Sequence, residues 1–248
     1  MTEILLINPN TTRSITDLVL RTARRFAATG TKLRAVSGAF GPRYVASRVG
    51  YAIAGHAAVD AFANDRGHKD AVVLACFGDP GLAALKEISA VPVVGMAEAS
   101  ILQACTLGSR FSIVTGGARW KPMLEEYVAM QGLGARLASV RAVTPTGADI
   151  ARDPKSAMAA LAEDCAACVR EDGAEVVILG GAGLAGLAAK LKSTVDVPLL
   201  DGLACALSMA EALAGQQPAK ATTGSLARPA PVASIRLSRG LAKLLASQ

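Results

Sequence analysis

The sequence is poor in aromatic residues and in charge. Aromatic residues make up 4% of its 248 positions and charged residues 19%, whereas hydrophobic residues make up 52%. This balance excludes a disordered or solvating chain, because such chains carry much charge and few apolar side chains. With so few aromatic side chains, the protein also offers few stacking platforms for nucleic-acid bases.

Basic residues outnumber acidic ones, but they are dispersed along the chain. There are 26 Lys+Arg against 20 Asp+Glu, which gives a net charge of +6. No run of basic residues is interleaved with aromatic ones, so we expect no nucleic-acid partner. A modest positive field also attracts small anionic substrates, and the charge by itself does not separate these two interpretations.

Long apolar runs and export signals are missing as well. No apolar stretch reaches the ~20 residues that a helix needs to cross a bilayer. Glu3 interrupts the first apolar run and no small-residue cleavage site follows it, so we expect no signal peptide and no membrane partner. These features predict a soluble, cytoplasmic protein.

The cysteine count is odd, which argues against a disulfide framework in a chain without export features. We expect thiols at all five positions, which are Cys76, Cys105, Cys165, Cys168 and Cys205. Cys165 and Cys168 form a CxxC within a helical stretch from Lys155 to Glu171. A zinc or redox site is one interpretation of this pair. Because there is no second CxxC and histidine is scarce, two buried small side chains are the favoured interpretation, and we expect no metal.

Short apolar runs alternate with amphipathic stretches along the whole chain. This alternation predicts an α/β fold in which helices cover parallel sheets, and the length suits one large domain or two small lobes. The predicted strands are Glu3–Asn8, Lys32–Ser37, Ala71–Cys76, Pro92–Met96, Arg110–Thr115, Arg136–Val143, Glu175–Gly180 and Pro198–Asp201. The predicted helices are Thr12–Thr29, Gly55–Arg66, Ala97–Leu107, Trp120–Gln131, Lys155–Asp172 and Leu203–Ala214, with a last helix near Ser234–Ala246.

An internal repeat divides the chain into two similar halves. The segment that begins at Ala71 aligns with the segment that begins at Val176, so that Cys76 falls on Gly181. The strand "ILLINPNT" likewise matches "FSIVTGGA", which places Asn8 on Thr115. We therefore predict two similar lobes about a pseudo-two-fold axis, residues 1–96 with 208–248 and residues 97–207. Since ligands bind beyond the carboxyl ends of parallel strands, the site should lie between the lobes.

The turns at these strand ends are rich in glycine and small polar residues. They read "INPNTT", "ACFGDPG", "VTGGA" and "LGGAGLAG", and they expose backbone N–H groups where an anion is favoured. Phosphate is a competing ligand, but there is no Walker motif and no dinucleotide-binding context. Cys76 lies in one of these turns. A helix that begins there would lower the pKa of the Cys76 thiol below its usual value of about 8.5. The alternative is that Cys76 merely ends a buried strand.

Several of these motifs resemble one enzyme family. "INPNTT", "GPRYV" at Gly41–Val45, "ACFGDPGL" at Ala75–Leu82 and "ILGGAGLAGL" at Ile178–Leu187 are similar to the hydantoin racemase branch of the aspartate/glutamate racemase superfamily, which includes allantoin racemases. The resemblance runs in order from Leu5 to about Ala214. It implies two lobes, each a four-stranded parallel sheet flanked by helices, and no metal, PLP or flavin. It also implies two cysteines that act as acid and base on opposite faces of the substrate carbon.

The sequence departs from the family at the second of these cysteines. Cys76 matches the first, but Gly181 stands in place of the second, and glycine has no proton to give. Cys105 and Cys205 fall inside predicted helices, at positions without a match in the family motif. One group on one face can only return a proton to the side that it left. Either a different group or water serves the second face, or the position has been substituted, or the reaction is not a symmetric racemisation. In the last case the alternatives are a single-cysteine decarboxylase, a cis–trans isomerase with Cys76 as nucleophile, or a non-catalytic carboxylate binder.

The expected activity is cofactor-independent racemisation or isomerisation at the carbon α to a carbonyl. The substrate would be a small carboxylate or cyclic imide, such as a hydantoin-like, allantoin-like or amino-dicarboxylate compound, and Cys76 would be the thiol acid/base. We expect a homo-oligomer. The predicted substrate-binding residues are Asn8, Asn10, Tyr44, Phe77, Gly78, Thr115, Gly116, Gly117, Gly181, Ala182 and Gly183. Asp79 is interpreted as an acid/base or a helix cap, and Trp120 and Phe40 as core or cleft wall.

Overall fold

The computed structural model describes residues 1–246 and contains two four-stranded parallel sheets. The strand order is β2-β1-β3-β4 in the first sheet and β6-β5-β7-β8 in the second, the same order in each lobe. The strands are β1 Glu3–Asn8, β2 Lys32–Ser37, β3 Ala71–Leu74, β4 Val93–Gly95, β5 Phe111–Gly116, β6 Leu137–Val143, β7 Val176–Leu179 and β8 Leu199–Asp201. The predicted fold class is therefore confirmed.

Helices cover both sheets. They are α1 Arg13–Phe26, α2 Arg48–Asn64, α3 Leu82–Ile88, α4 Met96–Leu107, α5 Trp120–Met130, α6 Gly147–Arg152, α7 Pro154–Arg170, α8 Ala188–Leu191, α9 Gly202–Gln216 and α10 Arg239–Ala246. Short 3-10 helices lie at Gly134–Arg136, Ala182–Leu184 and Lys192–Thr194. Within residues 1–246, no helix combines the length and the apolar character that a membrane crossing requires.

The central strands form because they are apolar on both faces. Leu5, Leu6 and Ile7 of β1 and Val72 and Val73 of β3 are fully buried. Strands that are covered by helices on both sides need such continuous apolar runs, whereas a half-exposed strand alternates. All eight predicted strands are found, within three residues at each end.

The edge strands β2 and β6 carry equivalent ion pairs, one in each lobe. In the first sheet Arg34 of β2 binds Asp65 at the end of α2, with Nη2 2.6 Å from Oδ2. In the second sheet Arg141 of β6 binds Asp172 just after α7, with Nε 2.7 Å from Oδ2. Arg141 follows Arg34, and Asp172 follows Asp65, by the same number of residues. The two halves therefore share these pairs as well as their strand order, as a pseudo-two-fold relation requires.

Several helix predictions were incomplete. The helices α3, α6 and α8 are short, and short helices give little periodic signal. The helix α2 begins at Arg48 rather than Gly55, because the Ser47 side chain accepts a hydrogen bond from the Gly50 N–H and caps it. The last helix begins at Arg239 rather than near Ser234.

The last described helix, α10, lies beside the first lobe. The helix α9 contacts α1, β3 and α4, and α10 contacts α2. The lobe boundaries at residues 96 and 208 stay a prediction, since the boundary falls where α4 and α9 pack against both lobes.

Candidate active site

A cleft of about 440 Å³, including the part open to solvent, lies between the carboxyl ends of the two sheets. The turns after β1 and β3 reach it from the first lobe, and β5, α6 and the turn after β7 reach it from the second. The residues that line it are Asn10, Ile15, Tyr44, Val45, Cys76, Phe77, Thr115, Trp120, Gly147, Gly181, Ala182, Gly183 and Leu184. Only about 30 Å³ of this volume is open to a water-sized molecule, so the cleft is nearly closed in this state.

Cys76 lies in the turn that follows β3, not in the strand itself. The strand ends at Leu74, and the Asp79 N–H donates to the Cys76 carbonyl at 3.0 Å to close the turn. The thiol lines the cleft, although the residue is only 8% exposed. Burial, and the nearby Asp79 carboxylate, raise the pKa of Cys76 to about 12.

The expected lowering of this pKa was therefore wrong for the ligand-free protein. The expectation required a helix N-terminus at the thiol, but the next helix, α3, begins only at Leu82. Without that helix, desolvation of the thiolate dominates the pKa of Cys76. At neutral pH the unliganded site holds a thiol, which is a proton donor rather than a base.

Asp79 is buried behind Cys76 and caps a helix. Its Oδ1 accepts from the Ala97 N–H at 3.0 Å, and its Oδ2 accepts from the Glu98 N–H at 2.8 Å and from the Tyr127 hydroxyl at 2.7 Å. Burial raises the pKa of Asp79 to about 7 against these three donors. The predicted capping role is correct, but the capped helix is α4, remote in sequence, and Asp79 does not line the cleft.

The turn after β7 brings Gly181 to the opposite wall of the cleft. Gly181 has φ 144° and ψ 135°, a conformation that side chains rarely tolerate. A Cβ at this position would lie 3.0 Å from Cδ1 of Leu184 and 3.8 Å from Oγ1 of Thr115. This wall is therefore formed by backbone, the Thr115 hydroxyl and the Leu184 side chain.

Two polar side chains of the cleft lack a protein partner. The Asn10 Oδ1 accepts from Asn8 Nδ2 at 3.1 Å and from the Thr12 N–H at 2.9 Å, which directs Asn10 Nδ2 away from both. Among residues 1–246, neither Asn10 Nδ2 nor the Thr115 hydroxyl has a hydrogen-bond partner, and both residues are at most 5% exposed. No fully buried side-chain N or O atom of the described residues lacks a partner, so these two atoms reach the open space of the cleft and can bind a ligand or ordered water there.

Backbone N–H groups add further donors. In the part of the chain that the structure describes, the N–H groups of Cys76, Phe77 and Gly78 have no acceptor, nor do those of Gly181, Ala182 and Gly183. The two turns thus present free donors from both lobes. Such donors stabilise negative charge that develops on a substrate oxygen.

The loop before α2 closes one side of the cleft. The Tyr44 hydroxyl accepts from the Gly147 N–H at 2.9 Å and donates to the Gly116 carbonyl at 3.5 Å. Trp120 Nε1 donates to the Val45 carbonyl at 3.0 Å. These bonds connect a loop of the first lobe to the second lobe. Burial raises the pKa of Tyr44, so this bridging hydroxyl stays neutral.

Phe77 forms the wall next to Cys76 by reaching across the lobes. A Cβ on Gly180 would lie 2.6 Å from Cε1 of Phe77, and one on Gly202 would lie 3.2 Å from its Cδ2. The ring therefore packs directly on the backbone of the second lobe, where only glycine leaves room. Gly183 is equally constrained, because a Cβ there would overlap the Gly147 carbonyl.

The structure brings most of the predicted site together. Cys76 and seven of the predicted substrate-binding residues line the cleft, namely Asn10, Tyr44, Phe77, Thr115, Gly181, Ala182 and Gly183. Four others, Asn8, Gly78, Gly116 and Gly117, do not line it. Asn8 holds Asn10, and the Gly116 and Gly78 carbonyls accept from Tyr44 and Tyr51. A direct contact of these four with substrate stays a prediction.

Sequence reasoning missed four residues of the lining: Ile15, Val45, Gly147 and Leu184. The sequence did contain a signal for Gly147, since Thr146 and Asp149 form a capping box that starts α6. The apolar residues gave none, because an apolar side chain facing a cleft has the same pattern as one facing the core. Trp120 lines the cleft as expected, whereas Phe40 is 37% exposed and packs edge-on against His56.

Cys165 and Cys168 are two buried side chains in the core of the second lobe. Both are fully buried within α7, and burial raises both pKa values. Across residues 1–246, no three His, Cys, Asp or Glu side chains are grouped as a metal ion would need. The interpretation of this CxxC as part of the apolar core agrees with these contacts.

Known proteins match both the chain and its fold. The family described as Asp/Glu/Hydantoin racemase matches residues 4–210. A hydantoin racemase from Pseudomonas sp. (strain NS671) is 37% identical over 213 residues, which cover 85% of each chain. A solved allantoin racemase from Pseudomonas fluorescens superimposes with a TM-score of 0.90 at 34% identity, over 94% of this chain and all of that one.

The chain belongs to the Asp/Glu/hydantoin racemase family. It is thus an enzyme of a racemase and isomerase family, as its motifs predicted. A liganded mutant of arylmalonate decarboxylase shares the fold with a TM-score of 0.68 over 91% of this chain and 98% of that one, but at 17% identity the likeness extends to the fold alone.

Proposed function

We propose that this racemase-family enzyme moves the proton on C5 of a neutral, 5-substituted hydantoin, with Cys76 as acid and base. The observation that carries the proposal is the chemistry of the cleft lining. It combines one thiol, the Asn10 amide, two hydroxyls, backbone donors and apolar side chains, and none of its residues carries a charged side chain.

An amino-dicarboxylate substrate suits this lining poorly. Its ammonium group would lose water on entering the cleft, and no carboxylate among the lining residues would compensate for that loss. A hydantoin is uncharged and has two carbonyl oxygens and two N–H groups. The free N–H groups of the Cys76 and Gly181 turns can donate to these oxygens, and the Thr115 hydroxyl can accept. An apolar substituent would contact Ile15, Val45 and Leu184.

The chemical step begins with removal of the C5 proton by the Cys76 thiolate. The electron pair left on C5 delocalises onto the neighbouring carbonyl oxygen, and the backbone N–H donors stabilise that oxygen. The proton then returns from the Cys76 thiol to the same face, or another donor protonates the opposite face. Because the pKa of Cys76 is about 12 without ligand, we expect the reaction to accelerate as the pH rises.

A second reaction is favoured by the same raised pKa. A thiol that stays protonated at neutral pH is suited to donate a proton to a carbanion that forms when a disubstituted malonate loses carbon dioxide. This reaction needs only one face, so it tolerates Gly181 in place of a second cysteine. Nucleophilic addition to a double bond also requires the thiolate, so it too would accelerate as the pH rises.

The test is hydrogen exchange in deuterium oxide. Proton NMR should show the C5 proton of a single enantiomer of 5-benzylhydantoin or 5-isobutylhydantoin disappear with the parent protein, and persist with Cys76→Ala. If phenylmalonates release carbon dioxide and no hydantoin exchanges its proton, the enzyme is a decarboxylase and not a racemase. If neither reaction is observed, the remaining alternative is a non-catalytic carboxylate binder. Cytoplasmic location, independence of cofactors and a homo-oligomeric state stay predictions.

A further inference from the structure

We propose that a water molecule bound by the Thr115 hydroxyl supplies the proton on the face opposite Cys76. The inference rests on the proposed function, because it concerns protonation of the same carbon. Thr115 is thus a positioning residue. The water that it holds would supply the proton that a cysteine at position 181 would otherwise supply.

The first support is the state of the Thr115 side chain. The residue is 4% exposed, its hydroxyl has no hydrogen-bond partner among residues 1–246, and it lines the cleft. No fully buried side-chain N or O atom of the described residues lacks a partner, so the Thr115 hydroxyl reaches the open space of the cleft and can bind water there. Ser112, two residues earlier on β5, shows the contrast, since its hydroxyl is bonded to Ser139 at 2.8 Å.

The second support is the position of this hydroxyl. Oγ1 of Thr115 lies 3.8 Å from the place that a Cβ on Gly181 would take. A side chain on residue 181 would therefore begin beside the Thr115 hydroxyl. The free N–H groups of Gly181 and Ala182 lie at the same wall. A hydroxyl and two N–H donors match the two to four partners that a bound water needs.

The proton balance closes without a further reactant. The thiolate of Cys76 takes the C5 proton, so that an S–H bond forms while the C–H bond breaks. The bound water then gives a proton to C5 from the other side and becomes hydroxide. Hydroxide and the Cys76 thiol exchange a proton through the solvent in the cleft, which restores water and thiolate. The reverse direction uses the same steps in the opposite order, with hydroxide as the base, as microscopic reversibility requires.

Thr115→Val and Thr115→Ser form a matched pair for the test. Valine keeps the shape and the β-branch of threonine on strand β5 but removes the hydroxyl, whereas serine keeps the hydroxyl. For each variant, NMR in deuterium oxide follows loss of the C5 proton, and polarimetry follows inversion of the same hydantoin. The ratio of inversion to exchange is independent of binding and of the fraction folded. Ser112→Ala controls for changes elsewhere on β5.

We expect the parent and Thr115→Ser to exchange and to invert. Thr115→Val should lower the ratio of inversion to exchange by about 100-fold, the lower value for one proton donor, whatever it does to substrate binding. A ratio in Thr115→Val equal to that of the parent would overturn the inference, and so would a parent that exchanges but never inverts. Both results leave the proposed function standing. A parent that neither exchanges nor inverts would overturn the proposed function and this inference with it.

Discussion

The two lobes carry the same turn after their third strands but use it differently. Gly81 and Gly186 hold equivalent positions, with φ of 83° and 84°. Between strand and glycine, the first lobe has Cys76 and Asp79, whereas the second has Gly181 and Leu184. The two turns therefore share a backbone conformation at their glycines, but only the first carries a thiol and a carboxylate. The second lobe contributes shape, free N–H groups and the Thr115 hydroxyl.

The carboxylates that cap the next helices show how such divergence is tolerated. In the second lobe Asp201 caps α9 from its own N-cap position, accepting from the Leu203 and Ala204 N–H groups. In the first lobe the equivalent position is Gly95, and Asp79 reaches over from the turn to cap α4. A Cβ on Gly95 would overlap the Asp79 carboxylate. The carboxylate thus occupies an equivalent place in both lobes but is attached to a different strand end.

The largest expected effect is the loss of the thiol that distinguishes the two turns. Cys76→Ala should lower the rate of C5 proton exchange about 1,000-fold, since a positioned acid or base contributes about 100- to 10,000-fold. Cys105→Ser is the matched control, because Cys105 lies half-buried on α4 and does not line the cleft. Exchange rates in deuterium oxide measure the effect. Equal losses in both variants, or no loss in Cys76→Ala, would contradict the assignment.

The next effect comes from making the first turn resemble the second. Asp79→Leu should lower the free energy of unfolding by about 3 kcal/mol, because it leaves the Ala97 and Glu98 N–H groups and the Tyr127 hydroxyl without an acceptor. Urea unfolding followed by circular dichroism measures the change.

Transfer of the carboxylate provides the control for this prediction. Asp79→Leu combined with Gly95→Asp reproduces the arrangement of Asp201 and should recover more than half of the lost stability. If the double variant is no more stable than Asp79→Leu alone, the two capping arrangements are not equivalent.

A smaller effect is expected when the second turn is made to resemble the first. Gly181→Cys should lower the free energy of unfolding by about 1 to 2 kcal/mol, because φ 144° strains a side chain and Leu184 lies close to the new Cβ. It should also invert a hydantoin in a Thr115→Val background, where the bound water no longer acts. Gly181→Ala carries the same strain without a thiol, so it should lose stability and gain no inversion. Inversion by the alanine variant would show that the thiol is not the proton donor.

The smallest expected effect is a shift in the pH dependence of the exchange rate. The rate of exchange should rise with pH towards the Cys76 pKa of about 12, since only the thiolate removes a proton. Asp79→Asn removes the negative charge that helps to raise this pKa, so the rising limb should move to lower pH. Tyr127→Phe removes a hydrogen bond that lowers the Asp79 pKa, so Asp79 should lose its proton only at a higher pH than in the parent, and the two profiles should match once it has done so. An unshifted Asp79→Asn profile would contradict the electrostatic coupling.

The fold followed from the sequence because its signals are local. Each central strand is a short apolar run, and glycine-rich turns mark the carboxyl ends at which the cleft forms. The repeat placed Cys76 opposite Gly181, and the motifs placed the chain in its family. These features depend on neighbouring residues and spacing, so they could be read without coordinates.

Only the tertiary structure decided which groups surround the thiol and what state it is in. Asp79 caps α4 rather than its own helix, and Tyr44 bonds to Gly147 of the other lobe, because these partners are brought together by packing. The raised pKa of Cys76 likewise depends on how completely the two lobes exclude water from the turn. Desolvation is a property of all the atoms around a group. A sequence pattern therefore singled out the Cys76 thiol as the candidate, while the packing of both lobes determined its protonation.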